Sequence, residues 1–270
     1  MMKKHIFIIA IILLLVVAVT GCGSKKTTPE APAKLKVGVT AGPHEQIMNK
    51  VKELAKKEGL DIEVVVFNEY VQPNIQLAEK VLDLNSFQHG PYLENFIKER
   101  GLKLVKLADT VTFPMGIYSQ KIKNVNELKA GDKVGLPNDP TNEARALQLF
   151  EKANLIKLKE GVGNKATVRD IVENPKNLVF VELEAPIILR TLPDLAAAAI
   201  NTNFIIQAGK SPVQDSIFIE PKDSPWVNII AVRQGEENNP LYQKFVKIYR
   251  SEEVKQFINE KLKDSVVPSW

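Results

Sequence analysis

Strand-like and helix-like segments alternate along the chain from Leu35 onward. We predict strands where β-branched and apolar residues run together, and helices where apolar residues recur every three or four positions. This alternation is typical of α/β proteins, in which helices cover the faces of a sheet, so we predict an α/β fold. The predicted strands are 34–40, 62–67, 102–108, 133–139, 178–183, 196–201 and 227–233, and the predicted helices are 44–58, 73–84, 91–100, 139–153, one between 183 and 196, and two within 241–262.

The first residues of the chain carry the pattern of an export signal. Lys3 and Lys4 precede an uninterrupted run of fourteen apolar residues, from Ile6 to Val19. A permanent membrane-spanning helix needs about 20 such residues, whereas a shorter run behind lysines is typical of a secretory signal peptide. We therefore predict that residues 1–21 are a signal peptide.

Cys22 is the only cysteine in the protein, so the chain cannot form an intramolecular disulfide. It ends the segment VTGC (19–22), which resembles the lipobox of bacterial lipoproteins. We therefore predict that Cys22 is lipidated. One acyl chain binds a membrane only weakly, so we expect several chains, such as palmitate. The protein would then be lipid-anchored on the extracytoplasmic face of the cell membrane. The alternative is an ordinary signal peptide cleaved nearby, which would release a soluble exported protein.

The residues after Cys22 have the composition of a tether. Residues 23–34 contain Ser, Thr, Pro and Lys but no large apolar residue, so they cannot build a core, and we predict that 22–34 is a flexible lipidated tether. About 235 residues remain, which is enough for one large domain or two of ordinary size. Removal of Lys3 and Lys4 lowers the formal charge from +4 to +2, too small a charge to indicate nucleic-acid binding.

Sequence patterns for several classes of enzyme are absent. The chain has no phosphate-binding loop of the ATPase type and no Gly-x-Ser-x-Gly nucleophile motif, so we expect a protein that is not an enzyme. The segment GVGNKA (161–166) has dinucleotide-motif spacing but follows a lysine-rich stretch, and we interpret it as a loop. Outside the signal peptide the only histidines are His44 and His89, at a spacing that no common zinc motif uses. No metal site and no cofactor are predicted.

The segment NSFQHGPYLENF (85–96) concentrates three aromatic rings, a histidine, a glycine and a proline. Four interpretations are open for Phe87, His89 and Tyr92: an acid/base site, half of a metal site, a piece of core, or the wall of a pocket. The residues alone do not decide among these alternatives.

The segment LPNDPTNEARAL (136–147) contains a helix start. Asp139 suits the N-cap position and Pro140 suits the first helical position, where a missing N–H costs nothing. Arg145 then falls in the second turn, near the positive end of the helix dipole, where a bound anion would be favourable. One interpretation is a clamp for a ligand carboxylate. The other is an exposed arginine that pairs with Glu143 or Glu151.

Six segments are similar, in their order and spacing, to signature segments of the methionine-binding lipoproteins of bacterial ABC importers. The likeness spans about residues 35–265. The segments are FQHGPYL, FPMGIYS, LPNDPTNEARAL, IVENPKNLVFVELEA, AAAINTNF and DSPWVNIIAVR.

This resemblance implies a periplasmic-binding-protein fold, with two α/β lobes joined by crossing strands and an amino acid in the cleft between them. Lobe 1 is expected to contain residues 35–112 together with 228–270, and lobe 2 residues 113–227. The crossings are expected at VTFPMGIYS (111–119) and in the segment that leads into VNIIAVR (227–233).

The resemblance also implies the walls of a side-chain pocket. Phe87, His89 and Tyr92, with Tyr70, are expected to surround the thioether of the ligand. Sulfur gains about 0.3–1.5 kcal/mol per contact with an aromatic ring. His89 is then a binding residue rather than a catalytic one.

The polar ligand contacts implied by the resemblance are an arginine and three asparagines. Arg145 is expected to bind the ligand carboxylate, helped by Asn142. Asn203 and Asn228 are expected to bind the polar groups of the ligand backbone, because one amide offers both a donor and an acceptor.

The expected function is that of a substrate-binding protein that binds L-methionine and delivers it to the permease and ATPase subunits of an ABC importer. We expect a monomer that has no nucleic-acid partner. Another small amino acid or a methionine-containing dipeptide is the alternative ligand. A surface adhesin and a lipid-anchored enzyme are the alternative classes; an enzyme would need an acid/base pair in the cleft, which the sequence does not show.

Overall fold

Two β-sheets organise residues 33–270, which are the residues that the computed structural model describes. The predicted signal peptide (1–21), the predicted lipidation site Cys22 and nearly all of the predicted tether lie outside these residues. The predictions made for them therefore stay predictions. Among residues 33–270, no helix has both the length and the apolar character needed to cross a membrane.

Strands and helices alternate along the described residues, which confirms the predicted α/β class. The strands are β1 (Ala33–Thr40), β2 (Leu60–Phe67), β3 (Leu84–His89), β4 (Leu104–Thr112), β5 (Gly116–Tyr118), β6 (Lys133–Pro137), β7 (Lys157–Leu158), β8 (Ile171–Glu173), β9 (Val179–Leu183), β10 (Ala197–Ile200), β11 (Ser216–Ile219), β12 (Val227–Arg233) and β13 (Val267–Pro268). The helices are α1 (Pro43–Lys57), α2 (Gln72–Ala78), α3 (Gly90–Arg100), α4 (Pro140–Lys152), α5 (Ile188–Thr191), α6 (Thr202–Gln207), α7 (Pro212–Asp215), α8 (Pro240–Tyr249) and α9 (Glu252–Lys261).

The first lobe is built on a six-stranded sheet in the order β13-β4-β12-β3-β1-β2. Strand β1 runs parallel to β2 and β3, whereas β12 runs antiparallel to β3 and β4. Ile230 and Val232 of β12 join the core formed with α1, α8 and α9, while Ile229 and Ala231 join the core formed with α2 and α3. The sheet is therefore buried on both faces, as expected for side chains that alternate along a central strand.

The second lobe is built on a five-stranded sheet in the order β11-β5-β10-β6-β9. Strands β10, β6 and β9 are parallel, and β5 is antiparallel to both β10 and β11. The small side chains of β10 alternate between two cores: Ala197 and Ala199 pack with α4, and Ala198 and Ile200 pack with α5 and α6.

Two connections join the sheets. The chain leaves the first sheet at the end of β4 and enters the second at β5, and it returns between β11 and β12. Both connections fall in segments that the resemblance implied as crossings. The exact division of the chain into 35–112 with 228–270 and 113–227 stays a prediction.

The predicted helix 73–84 is wrong in its second half. Helix α2 ends at Ala78, Lys80 adopts a left-handed conformation with φ 64°, and a strand begins at Leu84. Leu77, Val81 and Leu84 have helical spacing, but Val81 is 48% exposed and does not face the core. The chain turns back at Lys80 so that β3 can pair with β1 and β12.

Candidate functional site

A cavity lies between the two lobes. Its walls come from both lobes and from the first crossing. The eight residues predicted as ligand contacts all line it, and five further residues complete the wall. The lining residues are His44, Tyr70, Phe87, Gln88, His89, Tyr92, Phe113, Asn142, Arg145, Asn201, Thr202, Asn203 and Asn228.

Most of these side chains follow the carboxyl ends of parallel strands. Tyr70 lies beyond β2, His89 ends β3, Asn142 and Arg145 lie beyond β6, and Asn203 lies beyond β10. Ligand sites of open α/β sheets form at this edge, because the strand ends and the first turns of the following helices meet there. The topology therefore brings together residues that are far apart in the sequence.

Four rings of the first lobe pack against one another at one end of the cavity. The ring centroid of Tyr70 lies 6.0 Å from that of Phe87 and 6.0 Å from that of Tyr92. His89 stands edge-on to Tyr92, with 6.1 Å between the centroids. Phe204 of the second lobe covers Tyr70 from the other side, 5.4 Å away. The result is an aromatic wall that suits an apolar, polarisable side chain.

Both ring nitrogens of His89 are engaged. Nδ1 accepts a hydrogen bond from the backbone N–H of Tyr92 and so caps helix α3, with 3.1 Å between the nitrogens. Nε2 therefore carries the proton and donates to Oδ1 of Asn142 at 3.2 Å. Burial, together with the nearby Arg145, lowers the pKa of His89 to about 3. His89 is thus a neutral wall residue with no nitrogen free for proton transfer or metal binding.

Asn142 is held by three neighbours that fix the direction of its amide. Its Nδ2 donates to both carboxylate oxygens of Asp139, at 3.0 Å each. Its Oδ1 accepts from His89 and, at 2.8 Å, from Nδ2 of Asn201. All four polar contacts of the Asn142 amide are therefore protein contacts, and Asn142 meets the cavity through Asn201 rather than with a free donor.

Arg145 is buried and bound to a carboxylate that the sequence analysis did not assign to it. Its Nε donates to Oε1 of Glu220 at 2.9 Å, and its Nη2 donates to Oε2 of Glu220 at 2.5 Å and to the carbonyl of Phe113 at 2.7 Å. The alternative interpretation, an exposed arginine paired with Glu143 or Glu151, is wrong, since Arg145 is 3% exposed. Nη1 makes no hydrogen bond within residues 33–270.

Two further amides present polar atoms to the cavity. The hydroxyl of Tyr70 donates to Oδ1 of Asn203 across the two lobes, with 2.6 Å between the oxygens, so Nδ2 of Asn203 is buried without a partner among residues 33–270. Nδ2 of Asn228 lies 3.4 Å from Nε2 of His44. Burial lowers the pKa of His44 to about 3, so this histidine is neutral and can accept from Asn228.

Several residues around the cavity were missed from the sequence. Asn201 directly follows β10, lines the cavity, and has its Oδ1 buried with no partner in the described part of the chain. Gln88 forms a closed amide network with Asn74 and Asn85 beneath the aromatic wall, with bonds of 2.7 to 3.0 Å. The run NSFQH (85–89) gave a signal for this network, because three polar residues on one strand must be satisfied if that strand is buried.

The cavity shows no arrangement for metal binding. Within residues 33–270, no three His, Cys, Asp or Glu side chains are grouped to hold an ion. The charged residues at the site are Arg145, Glu220 and Asp139, and each is engaged in hydrogen bonds. What the site offers is one buried acceptor, two donors and an aromatic wall.

The model of the NlpA lipoprotein family matches residues 35–270. This chain belongs to the NlpA lipoprotein family. The match confirms the family resemblance found in the six signature segments, and it covers both lobes, both crossings and every residue that lines the cavity.

Relatives within the NlpA lipoprotein family are similar over nearly their whole length. Outer membrane lipoprotein 3 of Mannheimia haemolytica is 48% identical to this chain, over 88% of the chain and 90% of that protein. The D-methionine-binding lipoprotein MetQ of Escherichia coli K12 is 46% identical, over 94% of the chain and 93% of that protein.

Solved structures of similar proteins share the fold. A nutrient-binding protein from Burkholderia cenocepacia bound to methionine has a TM-score of 0.85 and 47% identity, over 87% of this chain and 100% of that chain. The crystal structure of the methionine-binding protein MetQ has a TM-score of 0.86 and 46% identity, over 88% and 99%. The predicted two-lobed fold class is thereby confirmed.

Proposed function

We propose that this NlpA-family lipoprotein is an extracytoplasmic, lipid-anchored substrate-binding protein that binds L-methionine and delivers it to the permease of an ABC importer. The observation that carries the proposal is the set of unpaired polar atoms beside the aromatic wall. Oδ1 of Asn201, an acceptor, and Nδ2 of Asn203, a donor, are buried without partners among residues 33–270. Nη1 of Arg145, a second donor, makes no hydrogen bond to these residues, and all three residues line the cavity. The ammonium and carboxylate of a free amino acid are the complement of this set.

The carboxylate of the ligand is assigned to Arg145 and Asn203. A buried donor without a partner, such as Nδ2 of Asn203, costs about 1–3 kcal/mol, so a ligand that satisfies it recovers that free energy. Glu220 already forms a buried ion pair with the guanidinium, so a zwitterion of no net charge suits the cavity. The ammonium is assigned to Asn201, with Asn228 beside it.

The side chain of the ligand is assigned to the wall of Tyr70, Phe87, His89 and Tyr92. A thioether in contact with ring edges gains about 0.3–1.5 kcal/mol per contact, and an unbranched chain fits an irregular cage. His89 supports binding rather than catalysis in this assignment, because both of its nitrogens are occupied.

The ligand is tested by release and titration. The purified protein is denatured, released small molecules are identified by mass spectrometry, and the refolded protein is titrated by calorimetry with L-methionine, D-methionine, L-leucine and a methionine-containing dipeptide. D-methionine is included because the similar MetQ proteins are named as D-methionine-binding. We expect L-methionine to bind about tenfold or more tightly than leucine. Equal affinity for leucine, or tighter binding of the dipeptide, would contradict the assignment to methionine.

The anchor and the transport role are tested separately. Cys22→Ser removes the sole lipid acceptor, so we expect the variant to leave the membrane fraction while it keeps its methionine affinity. Uptake of labelled methionine by cells that lack the chain should be restored by the wild type. If wild-type protein that is correctly exported does not restore uptake, the importer role is contradicted, but methionine binding is not.

A further inference from the structure

Asp139 does not line the cavity, but it bonds to Asn142, and Asn142 bonds to Asn201; both of these amides do line the cavity. It is the N-cap of helix α4, where its Oδ1 accepts from the backbone N–H of Asn142 at 3.0 Å. The same carboxylate accepts from Nδ2 of Asn142 through both oxygens, at 3.0 Å each. The second set of bonds is not needed for helix capping.

These bonds, together with the N–H of His89 Nε2, fix which end of each amide faces the cavity. Burial raises the pKa of Asp139, but hydrogen bonds from Asn142 and Thr141 favour its ionised form. The Asp139 carboxyl accepts from the hydroxyl of Thr141 and from the backbone N–H and Nδ2 of Asn142. Because the carboxyl acts as an acceptor, Nδ2 of Asn142 points toward Asp139 and Oδ1 points away. Oδ1 of Asn142 in turn accepts from Nε2 of His89 and from Nδ2 of Asn201. Asn201 is thereby oriented with its nitrogen toward Asn142.

Oδ1 of Asn201 is the atom of this amide that is left to bind a ligand. It is buried and has no hydrogen-bond partner among residues 33–270. A buried acceptor without a partner is unfavourable until a donor arrives. If the Asn142 amide turned over, Asn201 would turn with it and would present a donor in place of this acceptor.

We propose that Asp139 is a positioning residue for ligand selectivity: through Asn142 it orients Asn201 so that the cavity presents an acceptor to the α-ammonium group. This inference rests on the proposed function, since it concerns how an amino acid is told apart from the same molecule without its amino group. Asp139 acts on the ligand through two intervening amides.

The test compares methionine with 4-(methylsulfanyl)butanoate, which is methionine without its amino group, in calorimetric titrations. Asp139→Asn is the variant, because Asn caps helices as well as Asp but can present N–H groups to Asn142. We expect the wild type to favour methionine strongly and the variant to lose about tenfold or more of that preference. Asp170→Asn is the matched control, because Asp170 in the same lobe also accepts local capping bonds, from Thr167.

A double-mutant cycle with Asn142→Ala separates orientation from other effects of Asp139. The capping bond to the backbone N–H of residue 142 survives in that background, and so does any direct attraction between the Asp139 charge and the ligand. The contact that orients Asn142 is removed, together with the bonds from Asn142 to His89 and Asn201, so Asp139 can no longer act through this amide. The effect of Asp139→Asn on the preference should therefore vanish in the Asn142→Ala background.

Two results would overturn the proposal: an unchanged preference for methionine in Asp139→Asn, or an equal loss of preference in the presence and absence of the Asn142 side chain. If Asp139→Asn does not fold, as judged by thermal unfolding without ligand, Asn142→Ala alone decides, and an unchanged preference in that variant overturns the proposal. A wild type that binds no methionine would instead contradict the proposed function.

Discussion

Arg145 lines the cavity, and its positive charge is already paired with the carboxylate of Glu220. Glu220 holds two of its nitrogens, and Glu220 is itself tied to the backbone N–H of Met115 at 2.9 Å and to the hydroxyl of Ser224 at 3.2 Å. Removal of either partner leaves a buried charge uncompensated, which costs about 3–5 kcal/mol. A truncation of Arg145 would therefore damage the fold, and a change that keeps the charge is the more informative one.

Arg145→Lys tests whether the free arm of the guanidinium binds the carboxylate. Lysine can still pair with Glu220 but has no second planar arm, so we expect methionine to bind about 10-fold to 100-fold more weakly. The preference for methionine over methionine amide, which lacks the carboxylate charge, should shrink as well. Calorimetric titration with both ligands measures this, with the exposed Arg190→Lys as control. If Arg145→Lys keeps the wild-type preference, another group binds the carboxylate.

The two buried histidines predict a pH dependence of stability. Burial lowers the pKa of both His44 and His89 to about 3, whereas an unfolded histidine titrates near 6.5. Between these values the unfolded chain binds protons that the folded chain does not, so stability is complete above pH 6.5 and falls as the pH falls toward 3. The pKa of Glu143, raised to about 7 by burial, has the opposite effect, since its folded form keeps a proton between about pH 4.5 and 7.

His89→Asn isolates one histidine, because Asn can also cap helix α3 but does not titrate. From pH 7.5 to pH 5, the wild type should lose about 2 kcal/mol more of its free energy of unfolding than the variant. Urea unfolding at the two pH values measures the difference. An equal loss in both proteins would mean that His89 is protonated in the folded state.

The residues of the site could be predicted only in part from the sequence. Phe87, His89 and Arg145 stand in compact signature segments, so the family resemblance reached them. Glu220 lies 75 residues from Arg145 and in no recognisable motif, and its pairing depends on how the second crossing returns to the sheet. Asn201 was missed because its role depends on the direction of an amide, which no spacing encodes.

Among the elements, helix α3 shows how local signals at both ends set the position of a site residue. His89 caps its first turn, and Gly101 ends it in a left-handed conformation with φ 65°. The predicted helix, 91–100, agrees with the observed bounds to within one residue, and its C-terminal end was readable because Gly after a helix is a common stop signal. The capping role of His89 was not predicted. Strand β3, just before the helix, was not predicted. All six of its residues are buried, but its polar and apolar residues follow neither the two-residue period of a strand nor the 3.6-residue period of a helix.

Gly101→Ala tests the C-terminal end of helix α3. A Cβ at this position would contact nothing within 4 Å, so any loss comes from the left-handed backbone alone. We expect a loss of about 1 kcal/mol in the free energy of unfolding, measured by urea denaturation. Gly101→Asn should lose less, because Asn tolerates this conformation, and methionine affinity should be unchanged in both. Equal losses for Ala and Asn would point to a cause other than backbone conformation.

At the scale of the whole molecule, the cavity has an aromatic wall from the first lobe and a polar face, with Arg145, Asn201 and Asn203, from the second. Tyr70 belongs to the first lobe and Asn203 to the second, and their hydrogen bond of 2.6 Å turns the free Nδ2 of Asn203 toward the cavity. The ring of Tyr70 also packs on Phe204 of the second lobe. A ligand that bridges the lobes favours this closed arrangement only by its differential affinity for it.

Tyr70→Phe tests this coupling, because it keeps the ring in the aromatic wall and removes only the hydroxyl that reaches the second lobe. In the wild type, methionine should raise the melting temperature and reduce the radius of gyration in solution scattering. In the variant, the same final radius should be reached at about tenfold higher methionine concentration, because Asn203 loses the bond that orients it. Tyr242→Phe is the matched control, because the hydroxyl of Tyr242 bonds Arg233 and Glu236 within the first lobe. Its loss should leave the dependence of the radius of gyration on methionine concentration unchanged. If the radius of gyration of Tyr70→Phe depends on methionine concentration as in the wild type, the bond between the lobes does not contribute to closure. The aromatic contacts alone must then couple ligand binding to closure.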